Sequence, residues 1–193
     1  MDVFKRWRHA QQGYSLIEMM IVVGVMGVVT GIAVIQVGSS KQAFAGDGAM
    51  RVLLAQLTQA RELAITQRRN IRVAFAGTSV VQTVREEVPL GVPPVLTTLS
   101  QIPFEQGLKF LTVTGLPDTP DAFGNSTAVS FGTATEIKFT PDGTLVDQNG
   151  NYLNGTVFVA LAGQKMSARA VTVFGSTGRV RAFRWDGSAW RVV

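Results

Sequence analysis

The sequence has no cysteine and a single histidine in 193 residues. Without cysteine there are no disulfides, no thiolate zinc sites and no Cys nucleophile. The histidine, His9, stands among basic residues ahead of the first apolar run, so the sequence offers neither a Ser/His/Asp triad nor a His-rich metal site. The absence of cysteine does not fix a compartment. Charge of one sign is also scarce: the net charge is only +5, which permits acidic partners without demanding them. The length suits one ordinary domain plus a remainder.

The distribution of charge says more than its total. Residues 1–13 hold three basic residues against one acidic, residues 14–162 nine against eleven, and residues 163–193 six against one. Between Glu18 and Lys41 there is no charge for 22 residues, Met19–Ser40, and most of them are apolar. As a helix that run is roughly 33 Å long, enough to cross a bilayer core. Gly24, Gly27 and Gly31 would each weaken a soluble helix by about 1 kcal/mol but suit close contacts between membrane helices. Lys5, Arg6 and Arg8 flank its start, which orients the N-terminus to the cytoplasm and the rest of the chain outside it. A plain signal peptide is the competing reading, with Ala43-Phe44-Ala45 as an A-x-A cleavage site. Against it stand the length of the run and Glu18, whose lone carboxylate costs at least about 2.5 kcal/mol in an apolar segment.

Glu18 closes the hexapeptide Gly13-Tyr14-Ser15-Leu16-Ile17-Glu18. With the short basic leader before it and the apolar run after it, this segment resembles the prepilin signature of type IV pilins and type II secretion pseudopilins. Tyr14 stands where Phe is commoner. The resemblance implies cleavage between Gly13 and Tyr14 by a prepilin peptidase, N-methylation of Tyr14 by the same enzyme's methyltransferase activity, and a single-pass inner-membrane subunit with a periplasmic C-terminal domain. It also implies that Glu18 pairs with the N-terminal amine of a neighbouring subunit; a carboxylate at headgroup level, simply solvated, is the plainer reading of its depth. The implied partners are the peptidase, other major and minor pilins or pseudopilins, and inner-membrane lipid. No cofactor is implied.

Past the apolar run, Met50, Leu53, Leu54, Leu57, Ala60 and Ala64 recur at helical spacing, which predicts an amphipathic helix over 41–70. Gly46 and Gly48 suggest a bend or joint. From residue 71 the pattern turns to short β-branched and aromatic runs: 71–76, 80–86, 108–114, 127–131, 136–140, 156–162, 169–174, 179–185 and 189–193. Pro89, Pro93, Pro94, Pro103, Pro117 and Pro120 mark a looser stretch read as an insertion. The expected fold is α+β and pilin-like: a leader (1–13), a transmembrane assembly helix (14–40), its amphipathic continuation (41–70) and an antiparallel β-sandwich-like domain (71–193).

Three segments sharpen the resemblance to the GspH/FimT branch of the pilin superfamily: Arg61-Glu62-Leu63-Ala64-Ile65, Phe139-Thr140-Pro141-Asp142-Gly143-Thr144, and Ser176-Thr177-Gly178-Arg179-Val180-Arg181. The Pro141-Asp142-Gly143 element by itself is a turn signal.

Few residues could carry chemistry. Asp147–Asn151 opens like a calcium loop, but Tyr152 and Phe158 stand where Gly and Glu are needed, so it reads as a hairpin tip. Glu86 and Glu87 are adjacent in a strand and point to opposite faces. Asp118 and Asp121 read as solvated loop residues. The C-terminal ribbon is different. Strand alternation puts Arg179, Arg181, Phe183 and Trp185 on one face, and a two-residue turn at Asp186-Gly187 would set Trp190 opposite Phe183. Two readings stay open: arginines and rings that grip DNA, as in FimT-like minor pilins linked to DNA uptake, or rings packed in the core with arginines at its rim. An exported enzyme is a third class, without a catalytic constellation to support it. Type II secretion and type IV pili share this N-terminus. Glu18→Gln should insert normally but fail to join a filament; normal incorporation in a filament assay overturns the pairing role.

Overall fold

A computed structural model describes residues 13–87, 94–134 and 136–193, with the side chains of residues 35–40 also left aside. Lys5, Arg6, Arg8, His9, Pro89 and Pro93 therefore lie outside the described residues. The chain divides into two compact units, residues 1–38 and 39–193. One helix, α1 (Leu16–Gln67), supplies the first and begins the second.

In the first unit, Leu16–Val34 is a 19-residue stretch long and apolar enough to span a membrane, and none of it is buried within the chain.

In the second unit the predicted stripe is the packed face. Ala45, Ala49, Met50, Leu53, Leu57, Ala60 and Ala64 are buried, because i, i+3, i+4 spacing aligns them on one side of the helix. Two antiparallel sheets meet that face. The first has the order β3 (Val95–Pro103), β2 (Val80–Glu87), β1 (Ile71–Ala76), β6 (Ile137–Phe139), β7 (Leu145–Val146). The second runs β11 (Trp190–Val192), β10 (Arg179–Trp185), β9 (Arg169–Phe174), β8 (Gly155–Ala160), β4 (Lys109–Phe110), with β5 (Val129–Ser130) also on β8. The expected α+β class, a long N-terminal helix followed by antiparallel sheets, is the one found.

Alternation in β8 and β9 sends Val157, Val159, Val171 and Val173 into the helix-side core, while Phe158, Ala160 and Ala170 join a second apolar cluster. That second cluster holds Phe183, Trp185 and Trp190 and is covered by Leu111, Val113 and Leu116. Trp190 Nε1 donates to the Pro117 carbonyl at 2.8 Å, tying the covering loop down. The loop's backbone is thus spent on covering a sheet face, which is why only Lys109–Phe110 of the expected 108–114 strand pairs. The proline-marked stretch also contains β3, a nine-residue edge strand where an insertion was expected; Pro is tolerated there because an edge strand leaves one row of N–H groups unpaired.

Gly46 is not a joint. The helix runs through it, and a Cβ at Gly46 would lie 2.3 Å from the Ser167 carbonyl oxygen. Its role is close approach of helix and loop. Next to it the fully buried Arg169 donates from Nε to Asp47 (2.7 Å), from Nη1 to the Met166 and Ala168 carbonyls (2.9 and 2.8 Å) and from Nη2 to the Ala43 carbonyl (2.8 Å). Arg169→Met should strand Asp47 and three carbonyls and cost about 3–5 kcal/mol, and Gly46→Ala about 1–3 kcal/mol by overpacking. Thermal unfolding of the full chain in detergent reads both; unchanged Tm values would overturn this account.

Candidate functional site

The N-terminal segment is the first candidate. Leu16, Ile17, Met19, Met20, Ile21, Val23, Val25, Met26, Val28 and Val29 are each more than half exposed, so apolar side chains cover every side of this helix. A helix hydrophobic all round needs lipid or other helices as its surroundings. Glu18, in its first turn, is the single charge on Leu16–Val34. Gly13 and Tyr14 precede the helix and are exposed, with Tyr14 at 79%.

The C-terminal ribbon is the second candidate, and here the sequence reading needs correction. Trp190 pairs with Trp185, not with Phe183, which faces Val192. The turn is longer than two residues because Asp186 Oδ1 accepts from the Ser188 and Ala189 N–H groups (2.8 and 2.7 Å), building an Asx-capped loop. Phe183, Trp185 and Trp190 are all buried, the two indoles in an edge-on contact with centroids 5.5 Å apart. No face of these rings is open to a base. Arg181 lies over Phe183, 5.2 Å from its centroid, and its guanidinium binds Asp121 at 2.5 Å. Of the five ribbon residues, Arg179 alone is exposed.

Asp121 and Asp118 are likewise not simple solvated residues. Asp121 also accepts from the Thr172 hydroxyl at 2.6 Å. Asp118 accepts from the Thr119 and Gly124 N–H groups, both at 2.7 Å, and so shapes the covering loop. Sequence reasoning missed both because the partners are distant in the chain or are backbone groups. Asp147 is consumed in the same way: its Oδ1 accepts from Asn149 and Asn151 N–H groups (2.8 and 2.9 Å). The Asn151 N–H holds its carboxyl below the usual aspartate range. These bonds make it a hairpin tip.

The three branch-like segments meet in space. Arg61 Nε on α1 donates to the Gly143 carbonyl at 3.1 Å. Gly178 lies against the same carbonyl with φ of +61°, and a Cβ there would come within 1.9 Å of it. The motif glycines thus let two turns close on the helix, a positioning role.

Glu86 and Glu87 do not act together. Glu87 pairs with Arg85 at 2.5 Å, while the buried Glu86 accepts from Asn70 at 2.9 Å and from Arg72. Arg72 also reaches Glu136 at 2.6 Å. A groove of about 660 Å³ borders this network, lined by Arg72, Gln82, Val84, Leu96, Phe110 and Phe131 among others. Its charged groups already neutralise one another. Burial pushes the Glu86 carboxyl up, but hydrogen bonds from Asn70 and Arg72 and the charges of Lys138 and Arg72 outweigh it and hold the group below its usual value.

Residues 8–34 match the family described as the prokaryotic N-terminal methylation motif. The matched segment includes Gly13, Tyr14 and Glu18. No curated protein matches the chain significantly. Among solved structures, it is similar to the type IV minor pilin FimU of Pseudomonas aeruginosa (strain PAO1), with 18% identity, a TM-score of 0.48, and coverage of 75% of this chain and 91% of that one. The matched motif leads into one long helix and then antiparallel sheets.

The depressed Glu86 value sets a pH signature. Its stabilising contribution is complete above the ordinary glutamate value of about 4.3 and is lost as pH falls through the lower folded value. Glu86→Gln should cost about 2–3 kcal/mol at neutral pH and flatten the acid limb of stability against pH. An unchanged acid limb would show that Glu86 is not the titrating group.

Proposed function

We propose that the chain is the precursor of a minor pilin or pseudopilin, a structural subunit and not an enzyme. It is stored in the inner membrane through its apolar helix, with residues 39–193 on the periplasmic side, and then packs near the tip of a type II secretion pseudopilus or type IV pilus, which it initiates or caps. Gly13-Tyr14 is the cleavage site, Tyr14 the methylated residue, and Glu18 the partner of a neighbour's terminal amine. The peptidase and neighbouring pilin subunits are its partners.

One observation carries this reading. A lone carboxylate sits in the first turn of a helix that is apolar all round and uncovered by its own chain, inside the segment that matches the methylation motif. Such a helix is stable only in lipid or in a bundle, and a carboxylate there is tolerated mainly when paired. The alternative of a DNA-binding minor pilin retains the exposed Arg179 but loses its stacking rings to the core.

Mass spectrometry of the chain purified from membranes tests the proposal. The expected N-terminus is N-methylated Tyr14. An intact Met1, or cleavage after Ala45 as for a plain signal peptide, would sink it.

A further inference from the structure

The strongest charge bias in the sequence, six basic residues against one acidic over residues 163–193, has no part in the reading above. Within the unit 39–193 the fold gathers several of these cations at one end. The Arg169 guanidinium bonds the carbonyls of both Ala43 and Met166, so the helix turn 41–44 and the loop 163–166 meet there. Arg184 on β10 is in register with Arg169 on β9, and Arg191 on β11 with Arg184. A Cβ at Gly187 would lie 3.7 Å from Met166 Sδ, which adds the β10–β11 turn to the same place.

The side chains exposed at this end include two kinds that matter here. Lys41, Lys165 and Arg184 are cations, and among the described residues none is in an ion pair. Phe44 and Met166 are apolar, 72% and 41% exposed. Two of the three local acids are already occupied. Asp47 is bound to Arg169 and Asp186 to Arg191. The Ala189 N–H and the Arg191 guanidinium hold Asp186 far below the usual aspartate range, so it stays ionised and paired. Glu105, exposed in a groove beside Ala45 and Ala49, is in no ion pair among the described residues and leaves the three cations in excess. One end of the unit thus brings together three cations in no ion pair and two exposed apolar side chains. Lys41 is also the first charge after the uncharged run Met19–Ser40, and Phe44 lies about 4.5 Å further along the helix axis.

We propose that this patch is a lipid-headgroup surface, on which the subunit rests against anionic phospholipid before assembly. Lys41, Lys165 and Arg184 contact headgroup phosphates, and Phe44 and Met166 enter the boundary between headgroups and acyl chains. Cations around exposed apolar side chains are what an interfacial surface requires, each basic residue contributing about 1 kcal/mol near an anionic membrane. The proposal rests on the membrane-anchored reading given above.

The lack of cysteine makes the test clean, because a single introduced thiol takes the only label. Full-length chain carrying Phe44→Cys or, separately, Met166→Cys is labelled with an environment-sensitive fluorophore in vesicles of phosphatidylglycerol and phosphatidylethanolamine. Tyr152→Cys, on the exposed tip at the Arg61 end of the domain, is the control. Both patch labels should emit several-fold more strongly than the control and be quenched by shallow lipid-borne quenchers. The signal should fall when phosphatidylcholine replaces phosphatidylglycerol, or when Lys165→Gln and Arg184→Gln are combined. Co-flotation with the vesicles reads the anchor independently. A chain that floats while both patch labels stay as wet as the control overturns the patch alone; a chain that does not float overturns the anchor and the patch together. Labels that are wet in vesicles and shielded only when other pilin subunits are added would assign the surface to a neighbouring subunit, again against the proposal.

Discussion

A buried guanidinium holds the second unit together. Removing an arginine from water is costly, and the cost is offset only if its N–H groups find good acceptors. Arg169 spends its donors on a helix carboxylate, a helix carbonyl and two carbonyls of the preceding loop. Those partners come from residues 43–47 and 166–168, separated by more than a hundred residues of sequence. The guanidinium therefore fixes where on the helix the sheet begins, with an accuracy that apolar packing alone does not impose. The missing Cβ at Gly46 is part of the same device, since any side chain there would push the Ser167 carbonyl away and pull the guanidinium off its acceptors.

A second clamp holds the other end of this stretch of helix. Arg61 binds the Gly143 carbonyl, and Gly178 closes over it. The two arginine-centred contacts are about 21–27 Å apart along the axis. Between them the helix presents its small and large apolar side chains to both sheets, with the buried Gln56 accepting from Thr83 and Ser100 at 3.3 and 2.7 Å. Apolar burial supplies the driving force, while the polar clamps and Gln56 select one register among the several an amphipathic stripe would allow.

Much of this was legible in the sequence. The apolar run, the stripe Met50 to Ala64 and most strands are local patterns, and local patterns can be read residue by residue. Three features were not legible. The nine-residue strand β3 was hidden by the prolines that flank it, which an edge position tolerates. The pairing of Asp121 with Arg181, 60 positions away, turned an apparent loop acid into a buried anchor. The register of Trp190 depended on Asp186 capping a longer turn, and a one-face assignment from alternation cannot reveal which side of a sheet another loop will cover. The alternation itself was right; what it exposed or hid was decided by the loop tied to Trp190.

The N-terminal candidate site has a sequence signal of another kind, the failure of local satisfaction. Arg169, Glu86 and Asp121 are charges that the fold buries, and each is paired within the chain. Glu18 differs. Among the described residues it has no ion-pair partner, and its neighbours along the helix are apolar side chains left uncovered by the rest of the chain. The chain neutralises its buried charges elsewhere yet leaves this carboxylate on an uncovered apolar helix, which is why the proposed function gives it a partner outside the chain. The same logic separates the two ends of the sequence. At the N-terminus an unpaired anion sits on an apolar helix and suits a cation within a bundle. At one end of the second unit, cations in no ion pair among the described residues lie with two exposed apolar side chains, the combination on which the proposed anionic interface rests. On the proposed function, these two features answer to the two environments, lipid and helix bundle, between which such a subunit passes.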